Sequence, residues 1–407
     1  MTALPPCRAV ITGIGSVSPF GLGRSDLVTT LLRTNASAIA PIRNFSTETF
    51  PHHLGAEVVA TNLVQDEEGR RWSRVSQMAV AACRLAVAES RLSALEALHP
   101  AALVVGTEFG DLQSTEAFNA GFLQRGPRGL RALLFPNTVM NSIAGLVSLA
   151  LGIKGPILTL NQAGVAGELA VARAIMLLAA RRARAVIACG VDELFSVLYD
   201  VLGRLHIPSP RDGGEEACRP FDRRHNGPVL GEGATALVIE TVEHAQARGA
   251  TMLAGVYDAR WGAFPTRAHR YPTPAQLHHR LLDHTFASAA IAPTDVGVAY
   301  LSGSGDPQHD TAELDIISGA FGSAGPLLTS VTHLNGEYGS LGALRVAAAT
   351  ITATQGLMPT LSYLDHPLRS DVRFARDSGS TTPPFVLVHG LARDGVQTAL
   401  LIGPPPV

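Results

Sequence analysis

The sequence predicts an α/β protein with one core built from two duplicated halves. The first observation is a unit at 155–180, in which a short apolar strand, a glycine-rich corner and an apolar helix follow one another. The second is an echo of it, because GPLLTSV at 325–331 resembles GPILTLN at 155–161 and again precedes a glycine-rich corner and an Ala-rich helix. The third is the alternation of strand and helix patterns, which favours parallel strands packed between helices. We expect halves at 1–245 and 246–407, fused without a flexible linker.

Apolar runs define the strands of this prediction. In the first half they lie at 8–14, 101–106, 157–160, 185–189 and 235–240, and in the second at 296–301, 385–388 and 398–402. Helical patterns lie at 71–96, where they fit one helix or two, and at 137–151, 168–180, 275–289 and 343–352; the loop from residue 107 feeds a further helix near residue 118. The two units lie too far apart for a solenoid repeat, so they indicate a duplicated domain.

The unit at 155–180 is where chemistry would sit. Residues 157–160 do not alternate with polar side chains, which predicts a strand covered on both faces. The helix from Glu168 is almost entirely apolar and is therefore expected to be buried. A residue at the start of such a helix meets free backbone N–H groups that would lower the pKa of a thiol. Gln162, Ala163 and Gly164 occupy that corner, and none of them is a nucleophile.

The composition limits the possible functions. Of the 407 residues, 46% are hydrophobic and only 16% are charged, so part of the surface is expected to be covered by the chain's own halves or by a partner. The net charge of −2 argues against a nucleic-acid partner. Arg173 and the arginines at 181–184 interrupt the best apolar run, which argues against a membrane span, and the first residues lack the pattern of a signal peptide. We expect a cytoplasmic protein.

The four cysteines, Cys7, Cys83, Cys189 and Cys218, form no CxxC pair and no zinc-like spacing with histidine. Cys83 lies in a helical pattern and Cys189 in a strand, which predicts that both are small core residues. We expect no metal and no cofactor.

Several motifs together resemble the β-ketoacyl synthase branch of the thiolase fold. They are ITGIG at 11–15 with Ser18, Pro19 and Gly21; Pro136 with Asn141, Ala144, Gly145 and 152–156; RPFD at 219–222 with Gly227, Val229 and GEGA at 231–234; and Asp310 with Glu313. The resemblance implies a thiolase-like fold with a layered α-β-α-β-α core. It also implies condensation chemistry, in which a cysteine carries an acyl chain and two histidines and a lysine assist the decarboxylation of a malonyl thioester.

This chain departs from that family at every catalytic position. By the resemblance, the nucleophile position is Gly164, the first histidine position is Ser302, the lysine position is Thr332 and the second histidine position is Glu337. A glycine-rich gate of the family is replaced by LARDG at 391–395. Without a thiolate there is no acyl-enzyme, and without the imidazoles the enolate has no donors. We therefore expect no catalytic residues.

A non-catalytic member resembles the chain-length factor of a type II polyketide synthase. Such a subunit pairs with an active ketosynthase, receives units from an acyl carrier protein and shapes the tunnel for the growing polyketide. The resemblance assigns the tunnel end or the subunit interface to Phe109, Leu112, Thr115, Phe118 and Gln162. Thr115 leaves room for a linear polyene or an aromatic chain, of which we favour the polyene. Phe109 and Phe118 also fit a plain core, and Gln162, two residues before the nucleophile position, also fits a polar group satisfied by the corner backbone.

Two other hypotheses stay open. The chain also fits a degenerate homodimeric enzyme acting on acyl thioesters through Glu337, whose pKa burial would raise, or through a histidine. The histidines considered are His206, His225, His309, His333 and His389. The third hypothesis is a binding module for an acyl carrier protein with no role in a tunnel.

Overall fold

The computed structural model describes residues 5–65, 67, 69–92, 101–267, 269–377 and 383–406. The main strands of its first half are β1 (Ala9–Ser18), β2 (Ala102–Thr107), β3 (Ile157–Asn161), β4 (Ala185–Asp192) and β5 (Gly233–Glu240). They lie in the order β3-β2-β4-β5-β1. Strand β2 is parallel to β3 and β4, whereas β5 is antiparallel to β4 and β1.

The second half repeats this arrangement. Its main strands are β6 (Ala254–Ala263), β7 (Val296–Tyr300), β8 (Leu327–Thr329), β9 (Phe385–Leu391) and β10 (Val396–Gly403). Their order is β8-β7-β9-β10-β6, with β7 parallel to β8 and β9, and β10 antiparallel to β9 and β6. Order and direction match strand for strand, so the predicted duplication is confirmed. The boundary between 245 and 246 stays a prediction.

Strands β1 and β6 pair antiparallel and join the two halves into one hydrogen-bonded sheet. Within the halves, β5 pairs antiparallel with β4 and β1, and β10 with β9 and β6. The prediction of parallel strands was therefore wrong for these inner strands. Antiparallel neighbours need only a short connection, as in the β9–β10 hairpin, whereas parallel neighbours need a crossover. Strand β6 was not predicted, because Asp258 and Arg260 interrupt its apolar run; the structure pairs these two side chains with each other.

The helices form the remaining layers. They are α1 (Arg74–Ser90), α2 (Leu112–Arg125), α3 (Ser142–Leu151), α4 (Ala166–Ala179), α5 (Ser196–Arg204), α6 (Val242–Ala247), α7 (Arg280–Ala289), α8 (Pro307–Phe321) and α9 (Gly342–Gln355). Helices α4 and α9 contact each other and strands of both halves, so they form the central layer. Helix α1 packs outside β1 and β5, and α7 packs outside β6 and β10. The buried central helices predicted from the two units are confirmed. Of the stretch 71–96, predicted as one helix or two, α1 covers Arg74–Ser90, and residues 93–96 lie outside the described residues.

The glycines of the ITGIG motif let α1 lie against β1. A Cβ atom on Gly13 would lie 2.2 Å from the backbone oxygen of Ala86, and one on Gly15 would lie 2.0 Å from that of Ala82. Both distances are far below van der Waals contact. The motif therefore serves the packing of the core.

Short elements complete the described chain. A small separate sheet joins Ala40–Pro41, Leu54–Ala56 and Leu230–Gly231. Two further strand segments are Gly21–Leu22, which pairs with the last residues of β1, and Arg373–Phe374, which pairs with β8. The short helical segments are Gly23–Asp26, Leu27–Arg33, Gly69–Arg71, Gly126–Gly129, Ala132–Thr138, Pro274–Gln276, Pro293–Asp295, Gly322–Ala324 and Thr332–Asn335.

Strand β3 lies at the edge of the sheet, with β2 as its neighbour. The prediction that this strand is covered on both faces was wrong for the single chain, because Ile157 is 42% exposed and Leu158 is 37% exposed. An apolar strand without a second neighbour offers unpaired backbone groups as well as apolar side chains. Residues 157–161 therefore have the apolar composition of a buried strand, although they form an exposed edge strand in the single chain.

Exposed apolar side chains are concentrated in the elements next to β3. We call the following set the apolar patch: Phe122, Leu123, Leu130, Leu133, Phe135, Val139, Leu149, Ile157 and Leu158. Surface patches of this kind mark sites of interaction. Among the described helices none is by itself long and apolar enough to cross a membrane; the bent pair Ala132–Thr138 and Ser142–Leu151 meets the criteria of length and composition only when taken together.

Candidate functional site

The corner between β3 and α4 holds a carboxylate and no nucleophile. Gly164 has a φ of +65°, and its backbone N–H donates to Oε2 of Glu108 over 3.0 Å. A Cβ atom at this position would lie 3.6 Å from Ala392, so the space for a side chain exists. The corner before α4 attracts negative charge because the first N–H groups of a helix are unpaired. Here the side chain of Glu108 supplies that charge.

The hairpin turn between β9 and β10 connects the parts of the site. Leu391 N–H donates to Ser302 Oγ over 2.9 Å, and Arg393 forms an ion pair with Glu108. Gln162 Nε2 donates to Asp394 Oδ2 over 2.5 Å. The expectation that the corner backbone satisfies Gln162 is therefore wrong, because the carboxylate of Asp394 takes that place.

The hydroxyl group of Ser302 is fully occupied. It donates to Glu313 Oε1 over 2.7 Å and accepts the N–H of Leu391. His309 Nε2 lies 3.1 Å from the same oxygen and donates to it, since the single proton of Ser302 goes to Glu313. One donor and two acceptors are all that a hydroxyl group has. Ser302 is therefore a structural group, and nothing in this arrangement frees it to attack a substrate.

Behind Ser302 lies a buried network of polar side chains. His389 Nδ1 donates to Glu313 Oε1 over 2.7 Å, and Gln397 Nε2 lies 2.9 Å from His389 Nε2. Burial acts to raise the pKa of Glu313, but the hydrogen bond and charge of His389, the charge of His309 and the N–H of Ser302 together hold this pKa below its usual range. His309 is buried as well and stacks on Tyr271, with 4.6 Å between the ring centres. Within the described part of the chain, both histidines are therefore engaged in the hydrogen-bond network around Ser302.

Thr332 and His333 are also buried. Thr332 Oγ1 accepts from Ser330 Oγ over 3.1 Å. His333 Nε2 donates to the backbone oxygen of Thr360 over 3.0 Å, and burial lowers the pKa of its ring to about 4. A ring with such a pKa is neutral at pH 7. His333 therefore does not replace the lysine charge that the resemblance assigns to Thr332.

Glu337 faces two neighbouring cavities. Its backbone pairs with that of Val229 and Gly231, which fixes the residue beside the 219–234 stretch. The carboxylate has no hydrogen-bond partner within the described part of the chain, and burial raises its pKa. The outer cavity has a volume of about 350 Å³ and is lined by His206, Arg211, Tyr271, Ser304, Asp306, Glu337 and Arg393 among others. The inner cavity, of about 30 Å³, adjoins Glu108, Phe109, Leu198, Glu337 and Arg393.

The remaining candidate histidines have other surroundings. His206 is exposed at the end of α5 and lines the outer cavity. His225 Nδ1 lies 2.9 Å from Asp310 Oδ2, and Asp310 also accepts the N–H groups of Phe221, Ser304 and Gly305. Asp310 therefore anchors the RPFD stretch to the start of α8, and His225 belongs to that anchor.

The four aromatic, aliphatic and hydroxyl residues assigned to a tunnel lie on the segment after β2. Phe109 is half-buried and lines the inner cavity, and Leu112 and Thr115 lie in the first turns of α2. Thr115 Oγ1 donates to the backbone oxygen of Asp111 over 2.7 Å. The ring of Phe118 lies next to that of Phe135 of the apolar patch, tilted by 48° and with 5.9 Å between the ring centres. The segment thus leads from the site to the patch.

Buried acids support the start of this segment. Asp192 Oδ1 accepts the hydroxyl of Thr107 and the N–H groups of Glu108 and Phe109, and burial raises the pKa of Asp192 to about 6. Burial and the neighbouring charge of Asp111 raise the pKa of Glu193 to about 8. Sequence reasoning did not select Glu108, Asp192, Glu193 or Arg393. Their signal was a charged residue at the end of a buried strand or within two residues of it.

The fold belongs to the class of ketosynthases with the thiolase-like architecture. The solved ishigamide ketosynthase/chain length factor matches with a TM-score of 0.88 and 23% identity, over 98% of this chain and 100% of that one. A β-ketoacyl synthase from Burkholderia phymatum STM815 matches with a TM-score of 0.89 and 23% identity, over the same shares. A further match is described as a type II PKS acyl-carrier protein in complex with its ketosynthase bound to the hexaketide (TM-score 0.87, 19% identity, 98% and 100%).

Sequence comparison adds the family. The model described as Beta-ketoacyl synthase, N-terminal domain, matches residues 8–245. The 3-oxoacyl-[acyl-carrier-protein] synthase 2 of Coxiella burnetii is 30% identical over 370 residues, which are 88% of this chain and 89% of that protein. The enzyme of the same name from Staphylococcus aureus strain COL is 30% identical over 353 residues, 83% and 84% of the two chains. The chain belongs to the β-ketoacyl synthase family.

Proposed function

We propose that this chain is the non-catalytic, chain-length-determining subunit of a heterodimer with an active ketosynthase. The observation that carries the proposal is the corner before α4, where Gly164 donates to the carboxylate of Glu108 and no nucleophile is present. The occupied hydroxyl of Ser302 and the neutral ring of His333 support it, because they leave no replacement for a thiolate or an imidazole.

The apolar patch supports the existence of a partner. It combines an apolar edge strand with exposed side chains such as Leu133, which is 92% exposed. Interfaces of permanent complexes bury a large apolar area, roughly 2,000 Å² or more in total. Phe118 and Phe135 bring the predicted tunnel segment to the edge of this patch. In the proposed complex, Phe109, Leu112, Thr115 and Phe118 close the far end of the partner's tunnel, with Gln162 beside the interface.

The structural matches agree with this assignment. One is described as a ketosynthase/chain length factor and another as a ketosynthase with its acyl-carrier protein. We infer by analogy that an acyl carrier protein delivers the extension units to the partner's cysteine while this chain limits the length of the polyketide. Thr115, a small residue at the proposed tunnel end, leaves room for a linear polyene as well as for an aromatic chain, and we favour the polyene slightly.

Co-expression with an active ketosynthase tests the proposal. The complex is sized by light scattering and is then assayed with malonyl-loaded acyl carrier protein, with and without this chain. We expect a one-to-one complex, products from the pair only, and shorter products from the Thr115→Trp variant. Condensation by the purified single chain would overturn the proposal.

One observation favours a second candidate, an acyl-thioester enzyme based on Glu337. Its carboxylate has a raised pKa, lacks a hydrogen-bond partner among the described residues and lines a cavity of about 350 Å³. A general base with such surroundings could activate water. Under this hypothesis the single chain hydrolyses acyl thioesters, and Glu337→Gln abolishes the reaction. Absence of turnover by the single chain would exclude it.

A further inference from the structure

We propose that the ion pair between Glu108 and Arg393 positions Phe109 and the first turn of α2, and thereby sets the length of the product. This inference rests on the function proposed above. It assigns no chemical step to either residue, because both act through the segment that follows Glu108.

Five residues surround Glu108 closely. Its N–H donates to Asp192 Oδ1 over 2.8 Å, and its backbone oxygen accepts from Asn161 Nδ2 over 2.6 Å. Its Oε2 accepts the N–H of Gly164, and a Cβ atom on Gly339 would lie only 2.2 Å from the Cβ atom of Glu108. The position of this residue is therefore closely defined, and Arg393 completes the set through Oε1.

A series of local hydrogen bonds links the backbone of Glu108 to the predicted tunnel segment. The N–H of Phe109 shares the Oδ1 atom of Asp192 with the N–H of Glu108, at 3.2 Å. Gly110 N–H donates to Thr107 Oγ1 over 3.0 Å, and Asp111 caps α2 by accepting the N–H of Ser114 over 2.9 Å. A shift of the Glu108 backbone therefore moves Phe109 and the start of α2 with it.

Arg393 lies between the outer and the inner cavity. Its side chain lines both the outer cavity of about 350 Å³ and the inner cavity of about 30 Å³, which also contains Phe109. Burial lowers the pKa of Arg393, so its charge is partly removed from water. The carboxylate of Glu108 compensates this charge. Removing either partner leaves the other charge uncompensated in a largely buried position, which is unfavourable in free energy. Loss of the Arg393 side chain would join the two cavities and give Phe109 room to turn away from the tunnel end.

The experiment uses the heterodimer reconstituted with an active ketosynthase. Glu108→Gln and Arg393→Gln remove one charge each, while Arg393→Lys keeps the charge. Arg24→Gln is the matched control, because it breaks a comparably exposed ion pair with Glu89 elsewhere in the chain. The products are separated by mass, and the ratio of longer to shorter chains is compared, so that a change in total yield does not enter the result. Hydrogen exchange of the amides at 109–115 is measured on the same samples.

We expect both Gln variants to shift the products by at least one extension unit towards longer chains and to raise exchange at 109–115. Arg393→Lys should restore most of the wild-type ratio, and Arg24→Gln should leave the ratio unchanged. An unchanged ratio in an active complex would overturn the inference while leaving the proposed function intact. If the wild-type pair makes no product, the proposed function fails, and unchanged exchange at 109–115 would then also overturn the positioning role.

Discussion

Glu168 of α4 and Arg345 of α9 form an ion pair in the centre of the molecule, where both side chains are buried almost completely. The two helices are equivalent elements of the duplicated halves, so the pair joins the halves across the central layer. The Glu168 Oε1 atom accepts hydrogen bonds from both Nε and a terminal nitrogen of the Arg345 guanidinium group. The pair matches charge with charge in a region where both side chains are almost completely shielded from solvent.

We predict a large loss of stability when one partner of this pair is removed. Glu168→Leu or Arg345→Met alone leaves an uncompensated buried charge and should cost about 3–5 kcal/mol of the free energy of unfolding. The double variant should recover most of that loss. Chemical denaturation of the four proteins measures these values. Single variants that lose less than about 1 kcal/mol would contradict the account, because that is the range of exposed pairs.

The stability of the protein should fall with rising pH through Glu193. Its pKa of about 8 in the folded protein exceeds the usual value of 4.5, so the folded state holds the proton more tightly than the unfolded state. The resulting stabilisation is complete below the usual pKa and is lost as the pH rises towards 8. Glu193→Gln should therefore remove this loss. Thermal unfolding of both proteins from pH 4 to pH 9 checks the prediction, and parallel pH profiles would contradict it.

A cysteine at position 164 should not act as a reactive thiolate. The carboxylate of Glu108 accepts the backbone N–H of residue 164, and a negative charge so close to the thiol disfavours its ionised form. The positive φ adds strain of about 1 kcal/mol for a non-glycine residue. In Gly164→Cys we expect slower alkylation of Cys at neutral pH than in the control Gly145→Cys, whose position is exposed and open. Adding Glu108→Gln should accelerate the reaction at 164.

The outcome that would contradict this explanation is rapid alkylation at 164 in the presence of Glu108. Mass spectrometry of the peptide that contains residue 164 separates its reaction from that of the native cysteines. Cys83 and Cys189 are buried in the core, as the sequence predicted.

The apolar patch should be required for assembly and not for folding. Leu133→Glu places a charge on a side chain that is 92% exposed in the single chain, so the free energy of unfolding should change by no more than about 0.5 kcal/mol. In the complex the same charge would be buried, and the heterodimer should dissociate on a sizing column. Val59→Glu, at a position outside the patch that is 82% exposed, serves as the control. Assembly that tolerates Leu133→Glu would contradict this use of the patch.

The sequence predicted the parts of this fold that depend on local patterns. The units around Gly164 and at 325–352 were recognisable because each combines an apolar strand with a glycine corner and an apolar helix. Strand β6 escaped because Asp258 and Arg260, which neutralise each other in the structure, break its apolar run. The exposure of Ile157 and Leu158 could not be foreseen either, since a run of apolar residues does not reveal whether a neighbour belongs to the same chain.

The sequence indicated which positions belong to the candidate site, but not which residues contact them. Resemblance selected Gly164, Ser302, Thr332 and Glu337, and the structure brings Gly164 and Ser302 to one hairpin turn. The partner of that corner, Arg393, is 285 residues away from Glu108 along the chain. No local pattern pairs two charges at that separation. The same holds for the full occupation of the Ser302 hydroxyl, which depends on Leu391, His309 and Glu313 together.

The most direct test of the central claim is a condensation assay in which the partner's catalytic cysteine is replaced. The wild-type pair, the pair with the altered partner, and each subunit alone receive malonyl-loaded acyl carrier protein, and all products are quantified by mass. The account predicts products from the wild-type pair only, because this chain supplies no nucleophile. Condensation products from the pair with the altered partner, or from this chain alone, would contradict it.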